Sequence, residues 1–216
     1  MTADVVPPSP EAARHQAERR RYWDAVARES PDHRGWSSYY HRRLRARYQY
    51  WVAPGQRVLE VGCGAGDLLA ALEPSYGVGI DFSAAMLDRA RQRHPHLHFI
   101  EADAHEFATD ERFDVIVVSD LINDAWDVQA IFERLATVST PRTRLIINTY
   151  SRLWEPLLAL AGALGLARPV LHQNWLATAD VRGLLALAGF EVVHHERDML
   201  WPVQTPVIAA FVNKFL

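Results

Sequence analysis

The chain predicts a doubly wound α/β fold, a mostly parallel sheet with helices on both faces and a helical cap at its N-terminus. Three observations carry this reading. From Arg57 onward short β-branched runs alternate with helical patterns, the order of strands joined by crossover helices. The run "FDVIVVSD", Phe113 to Asp120, is apolar on both faces, as a strand inside a parallel sheet is. The stretch "RVLEVGCGAGDLLAAL", Arg57 to Leu72, sets an apolar strand against a glycine-rich turn and a helix.

Residues 1–10 carry three prolines and little to bury, so they read as a loose tail. Residues 11–54 form the helical cap. Its first helix covers 11–28, rich in Ala, Arg and Glu, and its second covers "WSSYYHRRLRARYQYW", Trp36 to Trp51, ahead of the Pro54-Gly55 turn. The core is 55–216. "RVLEV" is its first strand, followed by "DLLAALE", a short helix stopped by Pro74. "YGVGID" is the second strand, and Ser83 caps the helix "AAMLDRARQR". "LHFIEA" and "FDVIVVSD" are strands three and four, and the helix "VQAIFERLATV" leads to "RLIINTY", the fifth. A helix over 153–167 and a second, "ADVRGLLALAG" capped by Thr178, precede "FEVVHHERDML", the sixth strand.

The chain has 216 residues, 49% apolar and 23% charged, which suffices for a folded domain without disulfide or metal staples. A formal net charge of -3 gives no field that draws in nucleic acid or anionic lipid. Cys63 is the single cysteine, and "MTADVVPPSP" lacks the basic and apolar regions of a secretion signal. A cytoplasmic protein is expected. The longest apolar-rich stretch, Leu153 to Leu171, is interrupted by Glu155, Pro156, Arg168 and Pro169, so no membrane span is expected.

The turn reads Glu60-x-Gly62-x-Gly64-x-Gly66, which lets backbone approach a ligand where a Cβ would collide. A dinucleotide loop reads G-x-G-x-x-G. Here the third glycine comes one residue early, and Asp67 places negative charge where a pyrophosphate would lie. Asp81 ends the second strand, where a carboxylate accepts both hydroxyls of a ribose. The expected ligand is a nucleoside carrying a cationic or zwitterionic group, a description that S-adenosyl-L-methionine fits.

"VLEVGCGAGDLL", "GIDFS", "EADAHEF" and "FDVIVVSDLIND", in this order and spacing, resemble the class I S-adenosylmethionine-dependent methyltransferases over roughly Arg57 to Val193. The resemblance implies a Rossmann-like sheet of six or seven strands. It also implies that Glu60 and the loop of Gly62, Cys63, Gly64 and Gly66 hold the amino-acid portion of the cofactor, with Asp81 on the ribose. Phe82 and Met86 would flank the adenine, and Asp103 with the Ala104 backbone would read its amino edge. Ser119, Asp120 and Leu121 would line the methionine side and face the acceptor. "YYHRRL", "PSYGVGIDFS", "SRLWEP" and "QNWL" further resemble the methyltransferase portion at the front of bacterial proteins that continue into a family-two glycosyltransferase. That family's seventh strand has one candidate here, "VIAAFVNKFL", which either pairs back into the sheet or is a helix leading onward in a longer protein.

Methyl transfer from a sulfonium needs alignment above all, and a base only where the acceptor is a poor nucleophile such as a hydroxyl. Asp120, Asn123, Asp124 and His41 are the candidates, with Asp127 beside them. The competing reading has Asp120 touching cofactor, Asp127 capping the next helix and His41 structural or solvated. Tyr39 and Tyr40 either close over the sulfonium or only anchor their helix. Trp126, Tyr150, Trp154 and Trp175 either form an apolar acceptor pocket or fill core. The arginines of "HRRLRAR" are expected on a solvated face, and His96 and His98 lack partners in metal-binding register, so no metal is expected. Cys63 is badly placed as a nucleophile, and the end of strand four lacks the Asn-Pro-Pro-aromatic sequence of adenine-amino methyltransferases. The expected partner is a small-molecule acceptor rather than nucleic acid, methylated at oxygen or nitrogen, with a sugar or lipid-linked glycan suggested by the narrower resemblance. The alternatives are a catalytically silent cofactor-binding module and an NAD-dependent oxidoreductase, the latter disfavoured by the glycine spacing.

Overall fold

The structure, a computed structural model, describes residues 9–29, 36–149, 171 and 173–196. Among these residues five strands form one parallel sheet, β1 (Arg57–Val61), β2 (Tyr76–Asp81), β3 (His98–Glu101), β4 (Val115–Ser119) and β5 (Arg144–Asn148), in the order β3-β2-β1-β4-β5. The helices are α1 (Pro10–Glu29), α2 (Trp36–Trp51), α3 (Asp67–Ala71), α4 (Ala84–Arg93), α5 (Val128–Val138) and α6 (Thr178–Leu187).

The strand period of two divides the core between two faces. Leu59 and Val61 of β1 join Ile116 and Val118 of β4 in a cluster with Ile131, Phe132 and Leu135 of α5 and Val181 of α6. Val58 joins Val115 and Val117 in a second cluster with Leu69 of α3, Leu87 and Ala90 of α4, and Leu44 and Tyr48 of α2. Helices thus cover both faces, and β4 is buried from Val115 to Val118. Each full cost of exposing such a strand pair would be several side chains at about 1.5–3 kcal/mol apiece, which is why the pairing register is fixed. The chain runs outward from β1 to β3 and then returns to place β4 on the other side of β1. In doubly wound sheets ligands bind in the crevice at that reversal, beyond the carboxyl ends of the strands, which here are those of β1 and β4.

Ser83 caps α4, its Oγ accepting the Met86 N–H at 3.2 Å, and Asp127 caps α5, its Oδ1 accepting the Ala130 N–H at 2.9 Å. Thr178 does not cap α6. Ala177 holds that position without a side-chain acceptor, and Asp180 instead accepts the Ala177 N–H at 2.8 Å. α6 ends where Gly189, at φ 87°, closes a Schellman turn with Phe190 N–H donating to the Leu185 carbonyl at 2.9 Å.

The expected sixth strand is corrected over its described part, since 190–196 carry no strand. That segment is drawn to α2 instead, where His194 packs on Trp51 with ring centroids 4.7 Å apart and Glu196 lies 4.0 Å from Arg47. Residues 1–8, the helix expected over 153–167, Tyr150, Trp154, the rest of "FEVVHHERDML" and the whole of "VIAAFVNKFL" lie outside the described residues.

Candidate active site

The turn after β1 is wound by Gly62, Gly64 and Gly66 at φ 75°, 50° and 74°. Gly62 N–H and Cys63 N–H both donate to the Ile80 carbonyl of β2, at 2.8 and 3.0 Å. At Gly66 two requirements coincide: the left-handed backbone, and a Phe99 ring that an added Cβ would meet at 2.7 Å. The Cys63 side chain turns away from the crevice into the core, 2.8 Å from where a Cβ on Gly79 would sit, and burial pushes its thiol up. Its thiol lies in the core and its N–H is taken by the Ile80 carbonyl.

Glu60 lies on the same face of β1 as Val58, toward α3, and is 3% exposed. α3 begins at a glycine that has no side chain to cap it. Glu60 supplies the missing acceptor from the neighbouring strand, its Oε2 taking the Leu69 N–H at 2.9 Å. Burial, opposed by that bond and reinforced by Asp81, Asp67 and Asp120, raises the carboxyl from 4.5 to about 8.

Asp81 stands directly beside the turn. Its Oδ2 accepts the Gly64 N–H at 2.9 Å and its Oδ1 the Ser83 N–H at 2.9 Å, while burial raises its pKa against both bonds. Asp67 is not the open charge the sequence suggested, because His94 at 2.9 Å and Arg93 at 3.0 Å, both from the end of α4, bind it. Phe82 is half-buried and Met86 is buried at the start of α4. Past β3, Asp103 Oδ1 accepts both the backbone N–H and the ring Nδ1 of His105, at 2.9 and 2.5 Å. Burial alone would raise Asp103, but these bonds outweigh it and hold the carboxyl below its ordinary value. Ala104 follows in the same turn, half-buried.

At the tip of β4, Ser119 precedes Asp120, which adopts φ 57°, a left-handed backbone that Asp tolerates better than most residues. Asp120 Oδ1 accepts the Tyr40 hydroxyl of α2 at 2.8 Å and the Asn148 amide of β5, and Asn148 Oδ1 accepts the Tyr48 hydroxyl at 2.7 Å. Neither Asn148 nor Tyr48 stood out in the sequence. The only available signal was position, Asn148 ending a strand beside "VVSD" and Tyr48 two helical turns after Tyr40. Leu121 packs against Gly62, within 3.1 Å of where a Cβ would lie.

The remaining candidates are engaged with the scaffold. Asn123 is 2% exposed and donates from its amide to the Asn174 carbonyl at 2.8 Å. Asp124 is pushed up by burial and drawn down by buried Arg19, whose Nε–H donates to the Asp124 carbonyl at 2.8 Å. His41 packs edge-on against Tyr40, with centroids 5.3 Å apart. Trp126 is 44% exposed against His15, and Trp175 is half-buried. His96 and His98 are both exposed.

A parallel, doubly wound sheet with its glycine turn and acidic strand ends at the reversal of strand order defines a nucleotide- or nucleoside-handling α/β protein. A family model described as "Methyltransferase domain" matches residues 53–179, and the chain belongs to that family. It is 32% identical over 117 residues to a ubiquinone biosynthesis O-methyltransferase of Bradyrhizobium sp. (strain ORS 278), a match covering 50% of this chain and 46% of the relative. It is 32% identical over 109 residues to a trans-aconitate 2-methyltransferase of Yersinia pestis (strain Pestoides F), covering 49% and 42%. The chain thus spans less than half the length of these curated relatives. Among solved structures, the N-methyltransferase NodS from Bradyrhizobium japonicum WM9, in complex with S-adenosyl-L-homocysteine, superposes with a TM-score of 0.52 at 20% identity, covering 68% of this chain and 74% of that one. That likeness is one of fold.

Proposed function

We propose that the chain is an S-adenosylmethionine-dependent methyltransferase acting on oxygen or nitrogen of a small molecule. The observation that carries this is the 2.9 Å bond between Asp81 and the Gly64 amide, which brings the carboxylate that ends β2 onto the glycine turn. Each Asp81 oxygen accepts one backbone N–H and keeps a second lone pair for a ribose hydroxyl. A Cβ at Gly64 would meet nothing within 4 Å, so the bend is open on that side. These residues fit a nucleoside with an amino-acid arm.

In this reading Glu60 and the turn hold the amino-acid portion, Phe82 and Met86 flank the adenine, and Asp103 and Ala104 read its amino edge. When bound, the cofactor supplies a methyl group already activated on a sulfonium. Tyr40, held by its hydroxyl on Asp120, presents an aromatic ring at the crevice, where attraction for a cation contributes on the order of 1 kcal/mol. Ser119, Asp120 and Leu121 face the acceptor. Asp120 takes the proton when the acceptor is a hydroxyl, and Asn123, Asp124 and His41 hold the loop and helix around it.

Helices α1 and α2 serve as the cap over this crevice, within the division 11–54 and 55–216. Further strands complete the sheet beside β5, whose residues are less buried than those of β4. The relatives' names, an O-methyltransferase of ubiquinone biosynthesis and a trans-aconitate methyltransferase, support a small-molecule acceptor over nucleic acid. A sugar or lipid-linked glycan, and a cytoplasmic location, rest on the sequence resemblance and composition. Among the described residues no helix is long and apolar enough to cross a membrane.

Titration calorimetry of the full chain with S-adenosylhomocysteine tests the proposal. Saturable uptake is expected, weakened at least about tenfold in Asp81→Ala, since a charge-assisted pair of hydrogen bonds is lost. Folded protein that takes up none of this nucleoside sinks it.

A further inference from the structure

His105 holds Asp103 in an arrangement that neither the glycine turn nor the acceptor side uses. Two donors from one residue, its backbone N–H at 2.9 Å and ring Nδ1 at 2.5 Å, converge on Asp103 Oδ1. No described residue donates a hydrogen bond to Oδ2. The other ring nitrogen, Nε2, lies 3.2 Å from the Asp127 N–H. A backbone N–H only donates, so Nε2 must carry a lone pair and the proton must sit on Nδ1. The same contact therefore selects the tautomer that donates to Asp103.

The ring is fixed at both ends. Asp103 opens a turn whose Phe107 N–H donates back to the Asp103 carbonyl at 2.9 Å, and Phe107 is buried in the core. Asp127 is the N-cap of α5, its carboxylate bound to the Ala130 N–H. Asp103 and His105 side chains are 14% and 17% exposed, so the pair is mostly shielded from water.

We propose that His105 is a positioning residue that occupies one oxygen of Asp103 and aims the other at the cofactor's base, so that the site prefers adenine to hypoxanthine. This rests on the reading of Asp103 as the residue that meets the adenine amino edge. An ionised carboxylate only accepts hydrogen bonds. Its Oδ2 accepts from the amino group of adenine and opposes the carbonyl oxygen that replaces it in hypoxanthine. A fixed acceptor left facing another acceptor gives discrimination of at least about tenfold. Without the His105 ring only the backbone N–H of residue 105 still holds Oδ1, the carboxylate turns more freely, and the preference weakens.

The experiment is calorimetry of the full chain with S-adenosylhomocysteine and with S-inosylhomocysteine, its deaminated counterpart. The wild type is expected to favour the adenine form at least about tenfold. In His105→Ala the ratio is expected to fall at least about threefold below that of the wild type, the backbone N–H still holding Oδ1. His105→Asn, which keeps a donor near the place of Nδ1, is expected to retain part of it, and Asp103→Asn, whose amide can donate, to favour the inosine form. A folded His105→Ala protein that keeps the wild-type ratio overturns the proposal, as does a wild type that binds both ligands equally tightly. A wild type that binds neither overturns the cofactor reading itself and this inference with it. Histidine nitrogen NMR of the wild type needs no variant: an Nδ1–H tautomer at position 105 supports the assignment, and an Nε2–H tautomer overturns it.

Discussion

Glu60 shows how much one side chain does at the turn. Its carboxylate caps a helix from the neighbouring strand, and the same burial that makes the bond effective raises its pKa from 4.5 to about 8. Between those values the folded protein holds a proton that the unfolded chain has released. Stability from this group is therefore complete below about pH 4.5 and lost as pH rises toward 8. Glu60→Gln keeps an acceptor for Leu69 without the titration. Urea denaturation at pH 5, 6.5 and 8.5 is expected to show a shallower decline with pH in the variant, which should match or exceed the wild type at pH 8.5. Parallel slopes in the two proteins would remove Glu60 from the account. At Gly66 the expectation is steric. A left-handed backbone costs an alanine roughly 1–2 kcal/mol, and its Cβ would also meet the Phe99 ring at 2.7 Å. Gly66→Ala is expected to lose about 2–3 kcal/mol by the same denaturation assay, and a loss under about 0.5 kcal/mol would mean the turn relaxes freely.

Three elements meet in the chain of hydrogen bonds from Tyr48 through Asn148 to Asp120 and Tyr40. α2 supplies both tyrosines, β5 the asparagine and the residue just after β4 the aspartate, so the register of β4 on β5 (Ser119 opposite Asn148) is what puts the amide beside the carboxylate. Tyr48 is 3% exposed, and truncating Asn148 leaves its hydroxyl buried without this acceptor. Tyr48→Phe and Asn148→Ala are each expected to cost about 1–3 kcal/mol, with the double variant costing less than their sum by about 0.5 kcal/mol or more. Strict additivity would show that the two do not form one unit. This network also marks the limit of sequence reading. Five strands, the Ser83 and Asp127 caps and the Gly turn were readable because each is local, set by a period of two, a cap oxygen or a missing Cβ. Tyr48 and Asn148 were not, because they lie 100 residues apart, and Asn148 a further 28 from Asp120, so only the sheet order brings them together; His105 is local to Asp103, but the Asp127 N–H that selects its tautomer comes from 22 residues on. The sixth strand is absent over its described residues 190–196: "FEVV" has strand composition, but strand pairing is non-local and composition alone does not fix it.

Across the whole molecule, the net charge of -3 hides a local imbalance. Glu60, Asp81, Asp103, Asp120 and Asp124 all lie at or beyond the carboxyl ends of the strands, and α1 brings cations to that rim. Arg19, 3% exposed, binds Asp124 beyond β4, while Arg20 lies 3.4 Å from Glu101 at the end of β3. On the β2 side Asp24 accepts the Ser83 hydroxyl at 2.5 Å, and Arg89 of α4 donates to the Ala27 carbonyl at 3.0 Å. One helix therefore contacts the loop after β4, the end of β3 and the start of α4. Exposed pairs such as Arg20 with Glu101 contribute little, so the strap depends on its buried end. In Arg19→Met the Asp124 carbonyl loses its donor, and a carboxyl already raised by burial loses the cation that offsets it. The expected cost is about 1.5–3 kcal/mol. Hydrogen exchange should show where it falls: amides of α1 and of residues 120–127 should exchange faster together, while β1 and β4 stay protected up to global unfolding. Acceleration confined to the turn of α1 around position 19, with 120–127 unchanged, would mean that α1 does not brace the loop after β4.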